Sequence, residues 1–436
     1  MTTGCYREAS AQLGALELLA ANVGDWRQLG QFYSHLGNVP AAMRAFEHAT
    51  IASGGSAETL YDLGISCIAV GDFARAESLL EQVIALRPDD WDAWANRSTI
   101  RKATSESNHV DALKAMYGRA GGNPDCRIAL GFALAKELED LGEYAQAFEY
   151  LAEAAQVRRQ RLSYSVAQDA ATMEMIAAAF PATEVTRDPR AGPIFILGLP
   201  RSGTTLVDRI LSSHSAVESL GEIQDFALAL VGLAGQSGDK RDLIKASAAM
   251  DHASLGAEYL RRISERRARG PYVIDKTPLN FLYIGLIARA LPSARIVHVR
   301  RGAMDSAYAM FKTLFRMGYP FSYAQDDLAK YCIAYRKLMA HWRAALPGRL
   351  IEIDYEVLVA DQEAESRRLV AACGLEWQDK CLSFHRNATP VTTASAAQVR
   401  SPIHDRSIGL WYKYRAQLAP LVQAFTDAGI PLDHSR

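Results

Sequence analysis

One stretch of this 436-residue chain concentrates groups suited to holding an anion: Gly198-Leu199-Pro200-Arg201-Ser202-Gly203-Thr204-Thr205. It follows Ile194-Phe195-Ile196-Leu197, a short apolar run of the kind that forms a buried parallel strand. After it, apolar residues at 206, 207, 210 and 211 mark one face of a helix. A strand–turn–helix order aims consecutive backbone N–H groups, and the positive end of the helix dipole, at one point. Gly203 lets the backbone approach a ligand closely, while the hydroxyls of Ser202, Thr204 and Thr205 add donors for phosphate oxygens. The spacing from Gly198 to Gly203 matches the first two glycines of a P-loop, but Thr204 stands where the usual Lys would. Arg201 offers a cation from within the turn, and the missing Lys weighs against hydrolysis of a nucleoside triphosphate. The plainer alternative is an ordinary strand-to-helix turn with a Ser/Thr cap.

Three further places carry candidate chemistry. Lys276 follows the β-prone run Tyr272-Val273-Ile274, which puts it at a strand's carboxyl end beside the loop; otherwise it is a surface lysine ahead of Thr277-Pro278. Glu222 follows Leu220-Gly221 and suits a general base if partial burial raises its pKa; otherwise it is an acid opening the helix that contains Phe226 to Val231. His214 and His298 are alternative bases and rank lower, because a lone His is more often hydrogen-bonded for structure. The run Ala294 to Arg301 reads as another short strand ending in two arginines, whose planar forks grip phosphate in two places.

The segment Pro200-Arg201-Ser202-Gly203-Thr204-Thr205 resembles the 5′-phosphosulfate loop of sulfotransferases that use 3′-phosphoadenosine 5′-phosphosulfate. The likeness continues through Leu220-Gly221-Glu222, Asp275-Lys276-Thr277-Pro278, Val297-His298-Val299-Arg300-Arg301 and Thr393-Ala394-Ser395-Ala396-Ala397-Gln398-Val399, over residues 193–425. The chain is most similar to bacterial tetratricopeptide–sulfotransferase proteins and to the related tyrosylprotein sulfotransferases. The resemblance implies that Arg201, Ser202, Gly203, Thr204 and Thr205 hold the 5′-phosphosulfate. It makes Glu222 the base for the acceptor, Lys276 the cation for the transferred group and leaving phosphate, and Ser395 a donor contact. No metal is expected.

Two departures from the family pattern stand out. An Arg and a Ser eight residues later bind the 3′-phosphate in the resembling enzymes; alignment on Asp305 makes Arg301 the match, and the eighth position is Ala309. Ser306, one helical turn earlier, is the candidate substitute. Where the family has Lys before Pro, this chain has Ser401 before Pro402, and Arg400 is the candidate to take over that charge. Tyr355 falls near nucleotide or core, and Trp411, Tyr412 and Tyr414 are expected to pack on the core.

These groups need a scaffold. The sequence predicts an α/β architecture: N-terminal helical repeats over 1–180, a linker over 181–193, and a P-loop-like domain with a parallel sheet over 194–436. The repeats are visible as Leu36-Gly37-Asn38, Val70-Gly71-Asp72 and Leu141-Gly142-Glu143, each followed by alanines and a large apolar residue. Gly37 and Gly71 lie 34 residues apart, the tetratricopeptide period, while Gly71 and Gly142 lie 71 apart, so the unit around Trp91 to Gly121 is degenerate or carries an insertion. A glycine ends the first helix of each hairpin, and small residues let the second helix close on it. The linker has Pro181, Pro189 and Pro193 and no helical period.

Composition narrows the function classes. Forty-eight basic and 49 acidic side chains leave a net charge of −1, which argues against a general electrostatic grip on nucleic acid. Hydrophobic residues at 49% and charged residues at 22% are globular values, no apolar run reaches membrane-spanning length, and the N-terminus lacks a secretory pattern. Six scattered cysteines without a CxxC pair suggest a reducing, cytoplasmic setting. The leading expectation is transfer of a sulfuryl group from 3′-phosphoadenosine 5′-phosphosulfate to a hydroxyl or amine, with a peptide tyrosine among the acceptors and the repeats as a docking surface for a peptide or protein. A small-molecule kinase with an atypical loop and a non-catalytic nucleotide-binding scaffold remain the alternatives.

Overall fold

The computed structural model describes residues 6–119, 121–235, 239–266, 270–315 and 318–433. Ten helices come first: α1 (Tyr6–Glu17), α2 (Val23–His35), α3 (Val39–Ala52), α4 (Ala57–Val70), α5 (Phe73–Leu86), α6 (Trp91–Ile100), α7 (Val110–Arg119), α8 (Pro124–Leu141), α9 (Tyr144–Gln160) and α10 (Val166–Ala179). The glycine punctuation works as expected. Gly71 and Gly142 cap α4 and α8 in the left-handed conformation, at φ 88° and 86°. Asp72 then caps α5 by accepting from Arg75 N. Between the second and third glycine turns α6 stops at Ile100, and the chain to α7 is tied down by Ala103 N donating to Asp140 at 2.8 Å and His109 N donating to Glu137 at 2.6 Å.

Residues 181–193 form neither helix nor strand. Buried Arg295 pins them, donating to the carbonyls of Asp188, Pro189 and Arg190 at 3.0–3.2 Å. Beyond them lies a sheet of β1 (Ile194–Leu197), β2 (Val217–Ser219), β3 (Tyr272–Asp275), β4 (Arg295–Arg300) and β5 (Leu350–Asp354), in the order β2-β3-β1-β4-β5 with every ladder parallel. The helices between and after them are α11 (Thr204–Ser212), α12 (Asp225–Ala234), α13 (Lys240–Ala249), α14 (His252–Glu265), α15 (Ile284–Ala290), α16 (Ala303–Phe311), α17 (Gln325–Ala345), α18 (Tyr355–Ala360), α19 (Gln362–Ala372) and α20 (Ala419–Asp427).

Central β1 is buried along its whole length, which explains its unbroken apolar run. The chain leaves β1 toward the β2 edge and later crosses from β3 to β4, so the loop after β1 sits at a topological switch point, where parallel sheets bind ligands. One apolar core joins the two halves: Phe148, Leu151 and Phe180 belong to the same cluster as Phe195, Trp342 and Phe425. Trp411 and Tyr414 are fully buried there, whereas Tyr412 is exposed and stacks on Trp411 with ring centres 4.1 Å apart. Among the described residues no helix is long and apolar enough to cross a membrane.

Candidate functional site

The turn from β1 into α11 has the shape of an anion cradle. Gly198 adopts φ 150°, and a Cβ there would lie 2.5 Å from Val299 O. Gly203 adopts φ 105°, and its Cβ would lie 2.6 Å from the Tyr355 ring. Arg201, a non-glycine residue, takes φ 65°, a conformation that costs energy and is tolerated where surroundings impose it. Ser202 is 1% exposed, and its Oγ has no partner among the described residues. The same holds for Nε of Arg201 and Nε of Arg301. Buried donors left unpaired are uncommon, and here they surround the open N-terminus of α11.

A cleft opens over this turn, lined by Arg201, Gly203, Thr205, Arg301, Ser395 and Ser407, among others. Arg201 donates through Nη1 to Ser395 Oγ and through Nη2 to Gln398 Oε1 at 2.8 Å. Arg301 donates to Arg201 O at 3.0 Å and Ser407 O at 2.7 Å, and its guanidinium lies 4.6 Å over the Tyr355 ring. Thr205 Oγ1 is 3.4 Å from Thr393 Oγ1. Burial pulls the Arg201 pKa down to about 10, and the Arg301 charge adds to the effect. Two crowded guanidinium groups of one sign favour an anionic occupant.

Lys276 and Glu222 meet at the end of the sheet. Leu220 N donates to Ile274 O at 3.0 Å and Lys276 N to Gly221 O at 2.9 Å, so the chain after β2 runs alongside the end of β3. This pairing sets Lys276 Nζ 2.5 Å from Glu222 Oε1. The Lys276 side chain is 1% exposed and that of Glu222 38%, so the cation is enclosed while the carboxylate reaches solvent. Thr277 Oγ1 braces the corner, donating to Ile223 O at 2.8 Å. Beneath it, Asp275 accepts from Asn280 and Tyr259 and lies 2.9 Å from Thr277 Oγ1, and burial raises its pKa to about 7.

Sequence reasoning passed over several residues here. Asp208, on α11, is buried with one oxygen unpartnered; burial raises its pKa against the pull of Lys276. Its only sequence signal was a polar residue within an apolar helix face. Tyr319 takes φ 51°, and its hydroxyl pKa is raised by burial and further by the Glu222 charge. Ser407, His404 and Lys312 also line the cleft, as does Tyr355, which the sequence left between nucleotide and core.

Two expected residues stay out of it. Ser306 is buried within α16 and is not among the cleft-lining residues, whereas Ala309 is. Arg400 turns toward the repeats: it donates to Ala69 O at 3.2 Å and packs where a Cβ on Gly71 would sit. The two histidines have packing roles. His214 Nδ1 accepts from Ala216 N at 3.1 Å while Nε2 faces Glu376 O at 2.9 Å. His298 is buried between Glu352 and Tyr335, and burial lowers its pKa. Arg300 pairs with Asp354 at 2.6 Å across β4 and β5, leaving Arg301 to the cleft. Among the described residues, only Glu77, Glu81 and His109 bring three metal-ligand atoms within 4.8 Å of one another; they lie in the repeats, and Glu77 already takes Arg101 at 2.8 Å.

The fold and cradle define a P-loop-like α/β domain behind helical repeats. Residues 193–379 match the model of the Sulfotransferase family and residues 59–92 that of the Tetratricopeptide repeat. An uncharacterized protein of Aquifex aeolicus is 28% identical over 372 residues, 81% of this chain and 48% of that one. Protein-tyrosine sulfotransferase 1 of Danio rerio is 24% identical over 231 residues, 50% of this chain and 65% of its own length. The chain thus spans about half to two thirds of these relatives. A crystal structure of a sulfotransferase from Alicyclobacillus acidocaldarius is 18% identical with a TM-score of 0.32, covering 56% of this chain and 98% of that one.

Proposed function

We propose that this protein transfers a sulfuryl group from 3′-phosphoadenosine 5′-phosphosulfate to a hydroxyl or amine acceptor, with 194–436 as the catalytic unit, 1–180 as the docking unit and 181–193 joining them. The observation that carries the reading is the Glu222–Lys276 pair, 2.5 Å apart at the strand ends beside a cradle whose buried donors lack partners. The donor supplies a sulfuryl group whose S–O bond to the 5′-phosphate breaks as a bond to the acceptor forms. Glu222 receives the acceptor's proton at its solvent-facing carboxylate. Lys276 and the α11 N-terminus offset negative charge growing on the leaving phosphate, the kind of preorganised stabilisation that contributes most to group transfer. Arg201 and Arg301 orient the nucleotide, with Ser202 Oγ and the hydroxyls of Thr204 and Thr205 as further donors.

A cavity of about 540 Å³ is lined by Asp89, Asp90, Trp91, Asp125, Leu314 and Phe315, among others. The Phe315 ring lies 4.8 Å from that of Tyr319, whose hydroxyl feels the Glu222 charge. A cavity walled by repeat residues supports an acceptor held by the repeats, including a peptide. The five described cysteines are free and buried, which supports the cytoplasm as the working compartment.

Calorimetry on the full chain tests the donor assignment. It should bind 3′-phosphoadenosine 5′-phosphate more tightly than adenosine 5′-monophosphate; equal affinity would overturn it.

A further inference from the structure

The cleft lacks a hydroxyl at Ala309, yet the same helix end brings another group to it. Ala309 and Lys312 both line the cleft, as does Arg301. Lys312 Nζ donates to Glu139 Oε1 at 2.6 Å and lies 5.2 Å over the Tyr308 ring. Glu139 belongs to α8, in the repeats, and also accepts from the hydroxyls of Tyr308 and Tyr414, the latter at 3.0 Å. One carboxylate therefore holds three donors, two of which are neutral.

Resting on the function proposed above, we propose that Lys312 grips the second, 3′-phosphate of the nucleotide in place of the hydroxyl missing at Ala309, and that Glu139 of the repeats competes for the same ammonium. The four-carbon stem of a lysine lets its head move between neighbouring anions without moving the backbone. A phosphate carrying more than one negative charge attracts an ammonium more strongly than a single carboxylate does. Glu139 is not orphaned by the exchange, because Tyr308 and Tyr414 still donate to it. Affinity for the nucleotide then depends on a side chain of the repeats that need not touch it.

The test compares 3′-phosphoadenosine 5′-phosphate with adenosine 5′-monophosphate by calorimetry on full-length variants whose folding is checked by circular dichroism. K312M should weaken binding of the bisphosphate about tenfold or more, as expected for loss of one charged hydrogen bond to phosphate, and leave the monophosphate unchanged. E139Q, which removes the competing charge and keeps an acceptor, should raise the preference for the bisphosphate. A K312M protein that keeps the wild-type preference, or loses both ligands equally, overturns the inference and leaves the donor assignment standing. An unchanged preference in E139Q overturns the competition. A wild-type protein with no preference overturns both readings.

Discussion

Gly203→Ala isolates the cradle's geometry. At φ 105° an added Cβ meets two costs. A side chain in left-handed space costs roughly 1–2 kcal/mol. Overlap with Tyr355 Cδ2 at 2.6 Å and Cε2 at 3.2 Å adds an overpacking cost of roughly 1–3 kcal/mol, because the ring is not free to swing. It is held from above by Arg301 at 4.6 Å and at its hydroxyl by Ser407 Oγ at 3.2 Å. The total is about 2–5 kcal/mol of stability. Urea unfolding of Gly203→Ala, Tyr355→Ala and the double variant separates the two parts. In the Tyr355→Ala background only the backbone cost should remain, so the cycle should give a coupling of about 1–3 kcal/mol. If Gly203→Ala costs the same in both backgrounds, the ring does not limit the turn and the argument from contact fails.

Two further outcomes follow from the site. Glu222→Gln should lower kcat by about 10²–10⁴ while nucleotide affinity holds, since the amide accepts no proton; steady-state rates at wild-type level would remove Glu222 from the chemistry. Asp275 has its pKa raised by burial to about 7, above its ordinary 3.8, so the folded state holds that proton more tightly than the unfolded chain does. Its contribution to stability is therefore present at low pH, falls between about pH 4 and 7, and is gone above that range. Thermal melts of wild type and Asp275→Asn from pH 5 to 8 should show a shallower decline in the variant, and parallel curves would refute the assignment.

The cradle was readable because a strand, a turn and a helix face are local patterns, and each glycine in it has a local reason. Glu222 and Lys276 were readable as separate residues; their contact depends on β2 and β3 running side by side, which no spacing reveals. Ser306 fails for a helical reason. Each three-residue step falls about 60° short of a full turn, so with Ala309 and Lys312 both on the cleft, Ser306 lies about 60° beyond the former and about 120° from the latter. Arg400 ends a 3₁₀ turn, Gln398–Arg400, in which Gln398 and Val399 line the cleft along with Ser401 beyond it, while the Arg400 guanidinium faces the repeats on the other side. Ser407 and His404 come from a stretch without helical or strand period, so only the folded chain places them.

The segment around 391–400 has two faces. One closes over the phosphate loop through Thr393, Ser395 and Gln398; the other leans on the repeats, where Val391 N and Arg400 both donate to Ala69 O and Val391, Ala396 and Val399 pack on Ile68. The repeat hairpin is thus a buttress for one side of the cradle. Peeling it away would strip apolar backing from that side and leave Val391 N without its acceptor, so the cradle would lose its shape before any residue in it had been altered.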